Sequence, residues 1–168
     1  MSSLSFIIQD EIGMIHLISS LIATFFGTLV LVLKKGTQSH IRVGYVYCIS
    51  MFLLLVSAFM IYRLFGSFGI FHIAALISSL TLLAGMLPIW FKYPRKKWLG
   101  YHLSFMYWSV IGLYAAFASE TLTRIPETPF FGMVGVATLG ITLLGNFFFR
   151  KYMGSWEQIR QYGNSKLK

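Results

Sequence analysis

Five long stretches of the chain carry no charged residue: Ile12–Leu33, Val43–Tyr62, Leu64–Phe91, Trp98–Ser119 and Thr128–Phe149. A helix needs about 20 largely apolar residues to cross a hydrocarbon core, and each stretch is long enough. In lipid every backbone N–H and C=O must bond within its own segment, so each stretch is predicted to be a helix. The alternating segments of about ten residues that mark a membrane β-barrel are not seen. The pattern predicts one all-α transmembrane domain over residues 1–168, with spans at about 12–33, 43–62, 66–91, 98–119 and 129–149. Residues 150–168 are left as a polar cytoplasmic tail.

The predicted connections are short. Lys34–Arg42 and Lys92–Lys97 are basic, Tyr62–Gly69 holds the breakers Gly66 and Gly69, and Glu120–Glu127 is bounded by prolines at 126 and 129. Short loops join antiparallel neighbours, so the expected architecture is an up-down bundle with spans one to four as its core and a fifth helix beside them. The first stretch is read as a retained span. Asp10 and Glu11 precede it in place of a basic segment, and Lys34-Lys35-Gly36 is unlike a small-residue cleavage site.

Composition supports this reading. Of 168 residues, 57% are hydrophobic and 11% charged, against about 25% charged in soluble domains. The net charge of +9 needs no nucleic acid. Lys34, Lys35, Arg42, Lys92, Arg95, Lys96, Lys97, Arg150, Lys151, Arg160, Lys166 and Lys168 all fall on one predicted face, and only Arg63 and Arg124 on the other. By the positive-inside rule the basic face is cytoplasmic, with the N-terminus outside and the C-terminus inside. That face suits anionic headgroups, with Trp90, Tyr93 and Trp98 as boundary anchors.

The four histidines carry the candidate chemistry, each near the end of a different span. His16 and His72 share the outer face, His40 and His102 the inner. Cofactors in bundles are held by side chains from facing helices, so one bis-His haem b per leaflet is expected, and with it electron transfer across the bilayer. Glycines 13, 27, 44, 69 and 112 would give a macrocycle room, as would Ala74, Ala75, Ala115 and Ala116. Lys35, Arg42 and Lys97 would meet its propionates. About 18 residues of helix would separate the two planes by roughly 27 Å, a long gap for electron transfer.

The alternative is a non-haem zinc, iron or copper ion held by His16, His72 and Glu120, a catalytic-type ligand set, hydrolytic or metal-handling. Arg124, one turn after Glu120, would pair with it or bind an anion; Arg63 is a second partner for Glu120. Met106 lies one turn beyond His102 and fits packing better than copper. The third possibility is a membrane subunit or scaffold without chemistry, its histidines bonded to water, headgroups or helix ends. Cys48, the only cysteine, reads as packing, and Asn146 as a cross-helix hydrogen bond. Gly132, Gly135, Gly140 and Gly145 would let span five pack closely on a neighbour, a second copy included. Beyond the lipid bilayer, the expected partners are a redox protein or membrane complex, and no nucleic acid. Nucleotide-binding loops and nucleophile elbows are not found.

Several of these residues carry a resemblance. His16, the loop Lys35-Gly36-Thr37-Gln38-Ser39-His40-Ile41-Arg42 with Gly44 and Tyr45, Phe68-Gly69-Ile70-Phe71-His72, His102 with Met106, and Ala115–Glu120 followed by Arg124 and Pro126 form the pattern. Over roughly residues 12 to 127 the chain resembles the bacterial membrane proteins grouped as domain of unknown function 2306. In that family the loop reads His-Arg; here Ile41 intervenes. The resemblance implies a bacterial cytoplasmic membrane and supplies no activity. The span pattern is also similar to the diheme four-helix membrane cytochromes, by arrangement rather than by sequence.

Overall fold

The computed structural model describes residues 11–95 and 97–165. Asp10, Lys96, Lys166 and Lys168, which entered the charge reading, lie outside the described residues. Those described form five helices and no strand: α1 Glu11–Val32, α2 Gln38–Met60, α3 Ile70–Phe91, α4 Trp98–Leu122 and α5 Phe130–Ser165. Four of them, α1, α2, α3 and α5, are long and apolar enough to cross a membrane. In α4, tyrosine, tryptophan and serine dilute the apolar residues, and several of these face inward.

Helix ends follow from local chemistry. Beyond the end of α1, the Lys35 ammonium turns back and donates to the carbonyls of Val30 (2.7 Å), Leu31 (2.8 Å) and Leu33 (3.2 Å). These are the carbonyls a helix leaves without donors at its C-terminus. Burial there pulls the lysine below its usual titration range. Gly36, at φ +78°, reverses the chain in a conformation that suits glycine. Thr37 then caps α2, its hydroxyl accepting from the His40 N–H at 3.2 Å.

This cap corrects the sequence boundary. α2 begins at Gln38, so His40 and Arg42 lie in its first turns and not in a loop. Charge marked where the apolar run begins, whereas the threonine marks where the helix begins. A second correction concerns the C-terminus. α5 is 36 residues long, about 54 Å at 1.5 Å per residue, and runs through most of the segment expected to be a polar tail. It outlasts a hydrocarbon core of about 30 Å.

The Tyr62–Gly69 connection is as expected, with Gly66 at φ +63° and its N–H on the Tyr62 carbonyl at 2.8 Å. α3 starts at Ile70 and contains Pro88. Proline has no N–H, so the Ala84 carbonyl loses its intrahelical donor. At the other end of α4, Thr123 donates to the Ser119 and Glu120 carbonyls.

The chain divides into two compact units, one up to Ser79 and one from Leu80 on. In the first, α1 and α2 pack as an antiparallel hairpin, with His16 near the start of α1 bonded to Ser57 near the end of α2. Gly13, Ser20, Ala23, Gly27 and Val30 form the buried stripe of α1, recurring at the spacing of one helical face. In the second unit α4 and α5 are likewise antiparallel. Tyr107 meets Gly145, and Ser119 meets Thr138.

Large apolar side chains point outward from both units, Phe25 at 61% and Val32 at 80% exposure among them. Serines and His72 are inside, together with apolar residues such as Tyr47, Met51, Met106 and Val110.

Candidate functional site

His16 sits one turn into α1, half-buried, with Nδ1 3.1 Å from Ser57 Oγ. The Ser57 hydroxyl donates to the Leu54 carbonyl at 2.8 Å. With its proton on the Leu54 carbonyl, the Ser57 oxygen is placed to accept from His16 Nδ1. A bond across the hairpin follows.

His72 is the most enclosed of the four, 4% exposed. It is the third residue of α3, and its Nδ1 accepts from the Gly69 N–H at 3.1 Å. This is the geometry of a capping box, with histidine in the place usually held by glutamate or glutamine. Accepting at Nδ1 leaves the ring proton on Nε2, a buried nitrogen with no hydrogen-bond partner among the described residues. The rings of Tyr62 and Phe68 lie 4.6 and 4.8 Å from the imidazole, tilted by about 30°, with Phe59 at 6.5 Å.

His102 is in the second turn of α4. Its Nδ1 lies 2.8 Å from the Gly85 carbonyl. A carbonyl only accepts, so Nδ1 carries the proton. The bond ties α4 to α3 next to the carbonyl that Pro88 strips of its donor. A Cβ at Gly85 would collide with Met106, so glycine is what lets the two backbones approach. Met106 packs here, as the sequence reading expected.

His40 is half-buried in the first turn of α2. It belongs to the first unit and His102 to the second. Glu120 also belongs to the second unit, where Arg124 accompanies it. The guanidinium donates to the Glu120 carbonyl at 3.0 Å and lies 3.7 Å from its carboxylate. An exposed pair of this kind contributes little to stability. Among the described residues no three His, Cys, Asp or Glu side chains gather as a metal-binding group.

The structure brings His16 and His72 to the same end of α2, one against Ser57 and the other against Phe59 and Tyr62. A ligand to haem iron or to zinc must offer a lone pair. As arranged here His72 has none to give: Nδ1 is used by Gly69, and Nε2 holds the proton.

Sequence reasoning missed the partners. Ser57, Gly85 and Tyr107 were not singled out, and Gly145 was read only for its size. Its carbonyl accepts from the Tyr107 hydroxyl at 2.7 Å, and its missing Cβ admits Ile111. Gly135 and Gly140 have no such neighbour, so of these three spaced glycines only Gly145 seats another helix. Asn146 is half-buried beside it. Pro88 was the one signal in the sequence that could have pointed to the Gly85 region.

Comparisons with protein-family models, with curated proteins and with solved structures return no match to this chain.

Proposed function

We propose that the chain is a polytopic protein of the bacterial cytoplasmic membrane, a helical subunit whose histidines hold helices together rather than perform chemistry. All five helices cross the bilayer in alternating directions, N-terminus out, with the basic connections on the cytoplasmic face. α4 crosses too, with Tyr107 and Ser119 bonded to α5 and His102 to α3.

The observation that carries the reading is the extent of exposed apolar surface, with small and hydroxyl residues among those in the seams. Serines, glycines and an imidazole share the seams with Tyr47, Met51, Leu103, Met106 and Val110, while many phenylalanines, leucines and isoleucines are exposed. In water that surface would be costly; in lipid it is the expected one, because helices there associate through small residues and internal hydrogen bonds. Three histidines fit the same economy. His16 ties α1 to α2, His102 ties α4 to α3, and His72 caps α3.

Membrane fractions washed with alkaline carbonate test insertion. The chain stays in the pellet if this reading holds and appears in the wash if it fails. Reporter fusions at the two ends test the direction of insertion.

A second reading keeps haem b, or a zinc, iron or copper ion, with transmembrane electron transfer as the activity. Its support is the contact each of His16 and His102 makes through Nδ1 with another helix, since ligating histidines are oriented by a bond at the other ring nitrogen. The outer set of this reading requires His72 to release Gly69 and move its proton before it can ligate.

A further inference from the structure

We propose that the inner end of the second unit holds one anionic phospholipid, an acyl chain in the groove at the Pro88 turn and the headgroup on the basic connection beyond it. The inference rests on the membrane reading and deepens it.

The groove has a volume of about 610 Å³ and is bounded by Leu87, Pro88 and Phe91 of α3, by Tyr93, and by Tyr101 and Phe105 of α4. Its lining is almost wholly apolar. Tyr101 and Phe105 are one turn apart on α4 with rings stacked, 6.2 Å between centres and 19° between planes, and make a flat wall. An alkyl chain matches such a slot, because it fills apolar volume and asks for no hydrogen bond.

Charge selects the headgroup. Lys92, Arg95 and Lys97 follow directly on the groove and are all exposed. Lys92 lies in sequence between the lining residues Phe91 and Tyr93. Its ammonium is fixed 4.2 Å from the centre of the Trp98 ring, a cation–π contact that holds the charge near the groove mouth. The left-handed backbone of Lys92, at φ +51°, is part of the same turn. A phosphate at this place meets several cations and no Asp or Glu within the connection, and an uncharged headgroup gains nothing there. A fixed site of this kind adds specificity to the general attraction of basic segments for anionic lipid.

The test uses the full chain in detergent micelles, titrated with dioleoyl phosphatidylglycerol or dioleoyl phosphatidylcholine and read by native mass spectrometry. The two lipids share their chains and differ in headgroup charge. One phosphatidylglycerol should be retained in preference to phosphatidylcholine. Lys92→Gln and Arg95→Gln should each weaken phosphatidylglycerol binding about fivefold, leaving phosphatidylcholine unchanged. Ala84 also lines the groove, and Ala84→Trp, which fills it, should weaken both. Arg95→Gln changes an exposed side chain, so it carries the test even if Ala84→Trp does not fold. Equal retention of both lipids overturns the proposal. So does phosphatidylglycerol binding indifferent to the surface substitutions, or a dimer that Ala84→Trp disrupts while no lipid is bound. Failure of the membrane reading looks different: the chain is then released from membranes by carbonate.

Discussion

The seam between α1 and α2 and the seam between α4 and α5 use polar groups in opposite ways. In the first, the hydroxyls serve their own helix. Ser19 donates to the Ile15 carbonyl, Ser20 to Leu17 and Ser50 to Val46, and the side chains act as small, already satisfied spacers. His16 to Ser57 crosses between the helices. In the second, the bonds reach across: Tyr107 holds the α5 backbone at Gly145, and Ser119 lies 3.3 Å from Thr138. Ring contacts of Tyr107 and Trp108 with Phe149 close the same region. The serines of the first seam turn to their own helix, whereas the tyrosine of the second holds a neighbouring backbone. The second should therefore be the less tolerant of substitution.

Substitutions rank this difference, read as thermal or denaturant unfolding in a fixed detergent. Gly145→Val should have the largest effect, because the added carbons meet Ile111; overpacking of this kind costs about 1–3 kcal/mol. Gly135→Ala, on the same helix facing open space, should change little. Equal effects at the two positions would break the account of α5. Tyr107→Phe comes next. It removes the donor to the Gly145 carbonyl, and cross-helix hydrogen bonds in membrane proteins reach about 1.7 kcal/mol. His16→Phe should fall nearer the average of about 0.6 kcal/mol, since Ser57 keeps its bond to Leu54. Ser19→Ala and Ser20→Ala should lie below that average, because each hydroxyl bonds only within α1. A serine effect as large as that of Tyr107→Phe would show that the first seam also depends on directional bonds.

The His72 cap offers a sharper contrast inside the first unit. His72→Ala removes the acceptor from the Gly69 N–H, and loss of a cap costs about 1 kcal/mol. His72→Gln keeps an acceptor where capping boxes place one and should recover much of that loss. Failure of glutamine to do so would assign the role of His72 to its aromatic neighbours rather than to the cap.

The number of helices and most of their ends were legible in the sequence because both follow from uninterrupted apolar runs and from breakers such as Gly66, Gly69, Pro126 and Pro129. The start of α2 was not, since Thr37 caps a helix whose first turns are charged. The end of α5 was not, because a helix leaving the apolar zone loses the pattern that identified it. The candidate site was half legible. Four histidines near helix ends were visible, and so was the shared end of His16 and His72. What the imidazoles of His16, His72 and His102 do depends on Ser57, Gly69 and Gly85, and only folding brings Ser57 and Gly85 to their histidine. Ser57 is 41 residues from His16, and no local spacing announces it. Nor does any sequence pattern report which ring nitrogen holds the proton.

That proton decides between a structural and a cofactor-binding set of histidines. Visible absorption of the detergent-purified chain, expressed with ample haem and recorded oxidised and dithionite-reduced, with metal analysis on the same sample, tests the choice most directly. The account predicts no Soret band and less than one equivalent of metal per chain. A Soret band with sharp reduced α and β bands, lost in His16→Ala or His102→Ala, would contradict it, as would one equivalent of zinc, iron or copper lost in His72→Ala.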